Sequence, residues 1–285
     1  MMLDIETILE YNMEKYGPFL GEDMIQDVHR EFYRAYGASD GEENAVGVMV
    51  YEICDADNEE EDTKSRIRLL TSENDEALDL LQEMYREEGV YGEDIRESSY
   101  WLEEEKCAFS CERAGFSKER KESETVITTL AKASEIPFVV KLKKFPPYIR
   151  SIDSLSPEMF HQAVKDALFS GRKGLLEDLG YLEKEWFENT VSACTITDDK
   201  VSGLFLIRVT KSGIIEPVLL VASGPDSRQN LALMIAYAVK KGIERYPQTS
   251  QIRINRARKE ITALVDKLFP GIKGNEAFFG IRKEG

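Results

Sequence analysis

The chain is poor in the residues that most catalytic chemistry draws on. Only two histidines occur among its 285 residues, His29 and His161. They lie far apart, with no cysteine or carboxylate at ligand spacing, so no metal centre is expected. The four cysteines, Cys54, Cys107, Cys111 and Cys194, form no Cys-x-x-Cys pair and are too few to staple a chain of this length. They read as reduced thiols of a cytoplasmic protein. There is no Gly-x-Ser-x-Gly elbow and no Walker-type phosphate loop. No apolar run approaches the ~20 residues that would span a bilayer, so no membrane association is expected. The opening MMLDIETILEYN has acidic residues where a secretory signal has basic ones.

What is present fits folded domains. Hydrophobic residues make up 42% and charged residues 32%, a globular balance, and the length suits two domains of ~140 residues. The formal net charge of −16 is unevenly spread. Residues 1–150 hold 18 Lys+Arg against 36 Asp+Glu, a net −18, whereas residues 151–285 hold 19 against 17, a net +2. With such an acidic chain no nucleic-acid partner is expected, and an anionic ligand should prefer the second half. Solubility alone also accounts for an acidic surface.

Apolar spacing predicts helices at 5–15 and 22–36, broken at Gly17-Pro18. AVGVMVYEI (45–53) reads as a strand and the acidic run 55–62 as a solvated turn that lacks the glycine and distal glutamate of a calcium loop. A strand at 65–71, a helix at 76–88 capped by Ser72, Asn74 or Asp75, a strand at 95–101 and a helix at 103–114 closed by Gly115 follow. Segments 121–130 and 138–142 read as pairing strands, and LKKFPPYIRS as a linker. The basic run Lys141 to Phe145 reads as a bridge to the acidic first half. In the second half, helices are expected at 157–170 and 173–189, then strands at 193–197 and 203–210. A strand at 217–221, a polar turn at 223–230 and a helix at 231–241 come next, then a strand at 251–255, a helix at 260–269 and a strand at 277–282.

The halves are in register. Glu31-Phe32-Tyr33 matches Glu185-Trp186-Phe187, Gly47-Val48-Met49-Val50 matches Gly203-Leu204-Phe205-Leu206, Ile95 matches Ile252, and Gly115-Phe116 matches Gly271-Ile272. All four offsets fall within 154–157 residues, which points to duplication. Two unrelated α/β domains is the alternative.

The strand–turn–helix from Glu216 to Gly242 is the first place to look for a ligand. It aims backbone N–H groups and the positive end of a helix at one point, which suits an anion. Arg253, Arg256, Arg258 and Lys259 could line the same corner, or could be a solvated helix start.

Two stretches carry a family likeness. Cys107-Ala108-Phe109 with Glu112-Arg113-Ala114-Gly115-Phe116 looks like the last helix of the GNAT superfamily of acyl-CoA-dependent N-acyltransferases. The segment from Pro217 through Val221 into the following turn and helix looks like that family's pyrophosphate-binding motif. The order of elements in each half is also similar to that family. The resemblance implies an α/β (α+β) fold, a tandem duplication of a GNAT-like mixed, mostly antiparallel sheet flanked by helices. The halves would be an acidic, non-binding domain at 1–146 and a candidate acyl-CoA domain at 147–285. The cofactor implied is acetyl-CoA or another acyl-CoA, held by Val221, Ala222, Ser223, Arg228, Gln229, Asn230, Leu231 and Ala232. Glu216 is the candidate catalytic base, and the acceptor would be a small-molecule or protein amine.

The motif departs from the family pattern, Gln/Arg-x-x-Gly-x-Gly/Ala. Leu231 and Leu233 fall where glycines would let a pyrophosphate approach. The first half offers Glu73, Asp75 and Glu76 at the equivalent loop, which would repel one. Cys111 and Lys267 stand where many family members have a proton-donating tyrosine. These departures leave a second expectation open: a non-catalytic binding or regulatory module of the same fold that has lost the acetyl-CoA site.

Overall fold

The computed structural model describes residues 3–54, 63–169 and 179–283. The acidic run 55–62 and the first part of the helix expected at 173–189 lie outside them. The chain opens with β1 (Asp4–Thr7), α1 (Met13–Asp27), β2 (Tyr33–Ser39), β3 (Ala45–Cys54) and β4 (Lys64–Ser72). Next come α2 (Asp75–Met84), extended by a π-helical turn at Tyr85–Tyr91, β5 (Glu97–Leu102), α3 (Glu105–Arg113), β6 (Glu119–Glu122) and β7 (Thr125–Thr129). Two short helices, α4 (Leu130–Ser134) and α5 (Pro137–Lys141), lead to β8 (Ile149–Ser151) and α6 (Pro157–Phe169). The chain ends with β9 (Ala193–Thr197), β10 (Lys200–Val209), β11 (Ile215–Ala222), α7 (Ser227–Arg245), β12 (Gln251–Asn255), α8 (Lys259–Leu268) and β13 (Glu276–Lys283).

Several expected elements change. The helix expected at 5–15 opens instead as strand β1, and α1 runs through Gly17-Pro18 to bend at Gly21, where φ is +69°. The helix expected at 22–36 gives way to β2 at Tyr33. In place of the strand expected at 138–142, residues 138–141 are helical, because Pro137 sits at the start of α5, where its fixed φ and missing N–H favour a helix. The described part of 173–189 holds only 3₁₀ turns at Leu179–Tyr181 and Lys184–Trp186.

The chain forms two compact units, residues 1–123 with 275–285 and residues 124–274. The contacts therefore do not divide at residue 146. By composition the first unit carries 15 Lys+Arg against 36 Asp+Glu, a net −21, and the second 22 against 17, a net +5.

The first unit is a seven-stranded sheet in the order β1-β2-β3-β4-β5-β13-β6, antiparallel except for β4 beside β5. On one face α2 and α3 bury Leu78, Leu81, Cys107 and Cys111 against Met49, Tyr51, Ile67 and Tyr100. On the other α1 packs Tyr16 and Leu20 over Tyr33, Ala35, Val48 and Val50. The second unit is a six-stranded sheet in the order β7-β12-β11-β10-β9-β8, parallel only between β11 and β12. Helices α7 and α8 cover Phe205, Ile207, Ile215 and Ile252, and α6 covers Leu204, Leu206 and Val218 on the opposite face.

The two sheets repeat one design. In each, the long hairpin into the central strand carries a bulge. Arg68 is the extra residue between the pairs Val50↔Leu69 and Tyr51↔Ile67, and Val218 between Leu206↔Leu219 and Ile207↔Pro217. The bulges sit 156 residues apart, counted from Val50 to Leu206. Gly47 and Gly203 stand at that same offset, each facing the last residue of the central strand, Ser72 or Ala222. A Cβ on Gly47 would lie 2.8 Å from Ser72 Cβ, and one on Gly203 would lie 2.7 Å from Thr195 Oγ1, so both hairpins need glycine there.

Each sheet also includes a strand from the other half of the chain. β7 from the middle of the sequence lies beside β12 in the second sheet. β13 from the C-terminal end lies between β5 and β6 in the first.

Candidate functional site

Strand β11, helix α7 and strand β12 make a βαβ unit, so β11 and β12 both end at the side where α7 and then α8 begin. Parallel strands followed by helices bring positive helix ends to the carboxyl edge of the sheet, where ligands of open α/β sheets bind. The turn between β11 and α7 is residues 223–226, with Gly224 at φ +84°. Ser223 N–H and Oγ both donate to the Ser202 carbonyl, at 2.8 and 3.1 Å, pinning the turn to the neighbouring hairpin.

Helix α7 starts four residues earlier than its sequence suggests, which relocates most of the expected ligand residues. Val221 and Ala222 end β11, and Ser223 begins the turn. Arg228, Gln229, Asn230, Leu231 and Ala232 lie inside the first turns of α7 rather than in a loop. Arg228 and Gln229 are exposed; Leu231 is half-buried against the α7 core and Leu233 is buried within it. Neither leucine occupies the turn, so neither blocks it in the way their place in the family pattern suggests. Asn230 is buried, and its Oδ1 has no hydrogen-bond partner. A buried amide oxygen left unpaired is costly.

The corresponding corners differ in their helix starts. In the first unit, Asn74 caps α2 by accepting the Ala77 N–H at 2.8 Å, and Asp75 and Glu76 occupy its first turn. The positive end of α2 is thus neutralised by its own chain. In the second unit, neither the residue before α7, Asp226, nor that before α8, Arg258, makes a side-chain cap, and α7 has no acidic residue in its first turn.

Pairing between the central parallel strands differs as well. In the first unit β4 and β5 are paired from Lys64↔Glu97 through Ile67↔Tyr100. In the second, β11 and β12 register only at Ile215↔Ile252. Among the described residues no strand pairs with β11 on that side from Glu216 onward, while β12 is held by β7 as far as Asn255↔Thr125. The backbone ladder between the two strands thus ends well short of the start of α7, which leaves the β11 edge available to a linear ligand.

Glu216 stands where they part. It accepts a hydrogen bond from Arg208 Nε, its cross-strand neighbour on β10, and its Oε1 lies 2.8 Å from Arg253 Nε on β12. The Arg208 guanidinium is largely buried and lies 5.0 Å from the Trp186 ring centroid. The partnership with Arg208 and Trp186 was missed in the sequence. The short hairpin turn at Lys211 to Gly213, which places residue 208 opposite 216, was the available signal.

The other candidates disperse. Arg256 Nη1 is 3.9 Å from Asp266, and Lys267 is exposed in the last turn of α8. His161 pairs with Glu183 at 3.2 Å, remote in sequence from His29. Burial pushes the Cys107 and Cys111 thiols up to about 12 and Cys194 up to about 11, which removes all three as nucleophiles or acids at neutral pH. Among the described residues no cluster of histidine, cysteine and carboxylate groups suits a metal ion.

Comparison of the sequence with protein-family models and with curated proteins finds no match. Solved structures do match. A tandem GNAT protein from the clavulanic acid biosynthesis pathway aligns over 100% of this chain and 99% of its own, with TM-score 0.61 and 10% identity. A GCN5-related N-acetyltransferase from Sphaerobacter thermophilus aligns over 99% and 95%, with TM-score 0.56 and 10% identity. Saccharomyces cerevisiae N-myristoyltransferase, solved with myristoyl-CoA and inhibitors, aligns over 98% and 79%, with TM-score 0.58 and 9% identity. The fold is that of the GNAT acyltransferases. Its form here is the tandem one, two GNAT-like sheets in a single chain.

Proposed function

We propose that the protein is an acyl-CoA-dependent N-acyltransferase whose second unit binds the acyl donor and whose first unit binds none. The observation that carries this reading is the end of the β11–β12 ladder at Ile215↔Ile252, beyond which lies an α7 start whose first turn holds no acidic residue and whose N-cap residue, Asp226, makes no side-chain cap. The pyrophosphate of coenzyme A would meet the first-turn N–H groups of α7 and the exposed Arg228 and Gln229. The buried Asn230 amide would steady the turn beneath them. The pantetheine arm would lie along the unpaired edge of β11, next to Val218 and Val221, and the bound thioester supplies the carbonyl that an amine attacks. In the first unit, Asn74, Asp75 and Glu76 already fill the anion corner.

Isothermal titration with acetyl-CoA and with a long-chain acyl-CoA tests this. One site per chain is expected, weakened at least tenfold by Arg228→Glu, since reversing one charge near a phosphate costs more than the ~1.4 kcal/mol of a tenfold change. Absence of heat and of any thermal shift at millimolar ligand removes the reading.

A second reading is a GNAT-fold module that holds an acyl-CoA without transferring the acyl group. The engagement of Glu216 by Arg208 and Arg253 favours it, because a carboxylate bridged between two guanidinium groups is not free to reach an incoming amine. The two readings separate on whether free thiol appears when acyl-CoA and a panel of amines are mixed with the protein.

A further inference from the structure

The two units provide an internal comparison. Counting outward from the bulges, Glu52↔Arg66 in the first unit corresponds to Arg208↔Glu216 in the second, and Ser65↔Ser98 to Ile215↔Ile252. One residue further along, the first unit has Arg66 opposite Ser99 and the second has Glu216 opposite Arg253. The first ladder continues there through Arg66↔Ser99 and Ile67↔Tyr100, while the second stops.

We infer that Arg208, Glu216 and Arg253 form a strut that holds β11 and β12 apart, making Glu216 a positioning residue of the acyl-CoA slot rather than its base. The inference rests on the proposed site in the second unit. Three observations support it. The ion pair stands at the first residues beyond the last backbone pair, so a side-chain bridge takes over where the backbone ladder ends. Glu216 is anchored from behind by Arg208, whose guanidinium lies against Trp186, so the carboxylate cannot swing aside. Where the first unit has a short serine in place of Arg253, with no arm to span a gap, the strands close.

One competing cause lies beside the strut. Pro217, at the position of Ile67, has no N–H to give to a ladder. The decisive substitutions therefore import the residues of the first unit one at a time. Hydrogen exchange is followed on the full-length protein without ligand, and coenzyme A is titrated separately. Arg253→Ser is expected to raise amide protection within Glu216, Val218 and Leu219 by about tenfold, as newly paired backbone would, and to weaken coenzyme A binding by a similar factor. Arg253→Lys, which keeps the charge and the reach, is expected to retain the wild-type exchange pattern and affinity. Should Arg253→Ser fail to fold, Glu216→Gln is read in the same way, since it removes the charge that draws Arg253 across.

Unchanged exchange in Arg253→Ser overturns the strut. So does closure in Pro217→Ile without closure in Arg253→Ser, which assigns the opening to the proline. Loss of amine acylation in Glu216→Gln with unaltered coenzyme A affinity also overturns it and returns Glu216 to the role of base. Exchange is measured without ligand, so the strut can fail while wild-type protein still binds coenzyme A. If wild-type protein binds none, the functional proposal falls separately.

Discussion

Glu6 shows how one side chain ties a strand to a helix. Lys15 Nζ lies 2.7 Å from its Oε1, Tyr16 Oη donates to the same oxygen at 2.7 Å, and Asn12 Nδ2 donates to Oε2 at 2.9 Å. Lys15 foremost, with Tyr16 and Asn12, lowers the carboxyl from 4.5 to about 2. A lowered acid stabilises the fold fully above its ordinary value, and the contribution fades as pH falls from 4.5 toward 2. Because 37% of the side chain is exposed, solvent screens much of the effect. Urea midpoints of wild type and Glu6→Gln should therefore differ modestly at pH 7 and converge near pH 2. A constant gap across that range would show that the carboxylate does not titrate against this cluster. The thiols allow a second test. Cys107, Cys111 and Cys194 are buried and raised, whereas Cys54 is half-exposed. Alkylation of native protein at pH 8 should label Cys54 first, with the other three reacting only after denaturation. Early labelling of Cys107 or Cys111 would mean that α3 opens locally.

The two units differ at the start of the helix that follows the central strand, and the energetics can be tested one element at a time. Asn74 accepts the Ala77 N–H at the head of α2, a cap whose removal by Asn74→Ala should cost about 1 kcal/mol. A thermal melt that does not move would mean the cap is not needed. Several element boundaries were legible because local chemistry and tertiary structure agree. Gly115, at φ +93°, ends α3 as its sequence suggests, and 251–255 is a strand in both readings. The start of α7 was not legible, because Ser227, Arg228 and Gln229 look like turn residues when they are the solvent-facing first turn of a helix. Only the burial of Asn230, Leu233 and Met234 on one face reveals the period there. β1 was misread for the opposite reason: four residues are too few to distinguish a period of two from one of 3.6. The order strand–turn–helix was thus legible, the boundary between turn and helix was not, and the partners of Glu216 needed strand pairing that no local pattern contains.

At the scale of the molecule, the exchange of strands decides how the chain can be cut. β13 is an interior strand of the first sheet, hydrogen-bonded to β5 on one side and to β6 on the other. Its Arg282 donates from Nη1 to the Ala114 carbonyl at 2.8 Å and lies 4.5 Å from the Phe116 ring centroid, closing the end of α3. β7 likewise covers β12 in the second sheet, with five paired residues from Gln251↔Thr129 to Asn255↔Thr125. The segment that reads as a linker belongs to the second unit, since Leu142, Phe145 and Tyr148 pack on its core. A cut at 146/147 therefore leaves 1–146 with a gap between β5 and β6 and leaves 147–285 with a bare β12 edge and an unpaired β13. Exposed strand edges of this kind template aggregation. Residues 124–274 keep every strand of the second sheet. This fragment should be monodisperse and melt cooperatively, while 147–285 should aggregate or lack a melting transition by circular dichroism. If 147–285 folds as well as 124–274, β7 is dispensable, and the second sheet would hold its slot without the strand it takes from the first half of the chain.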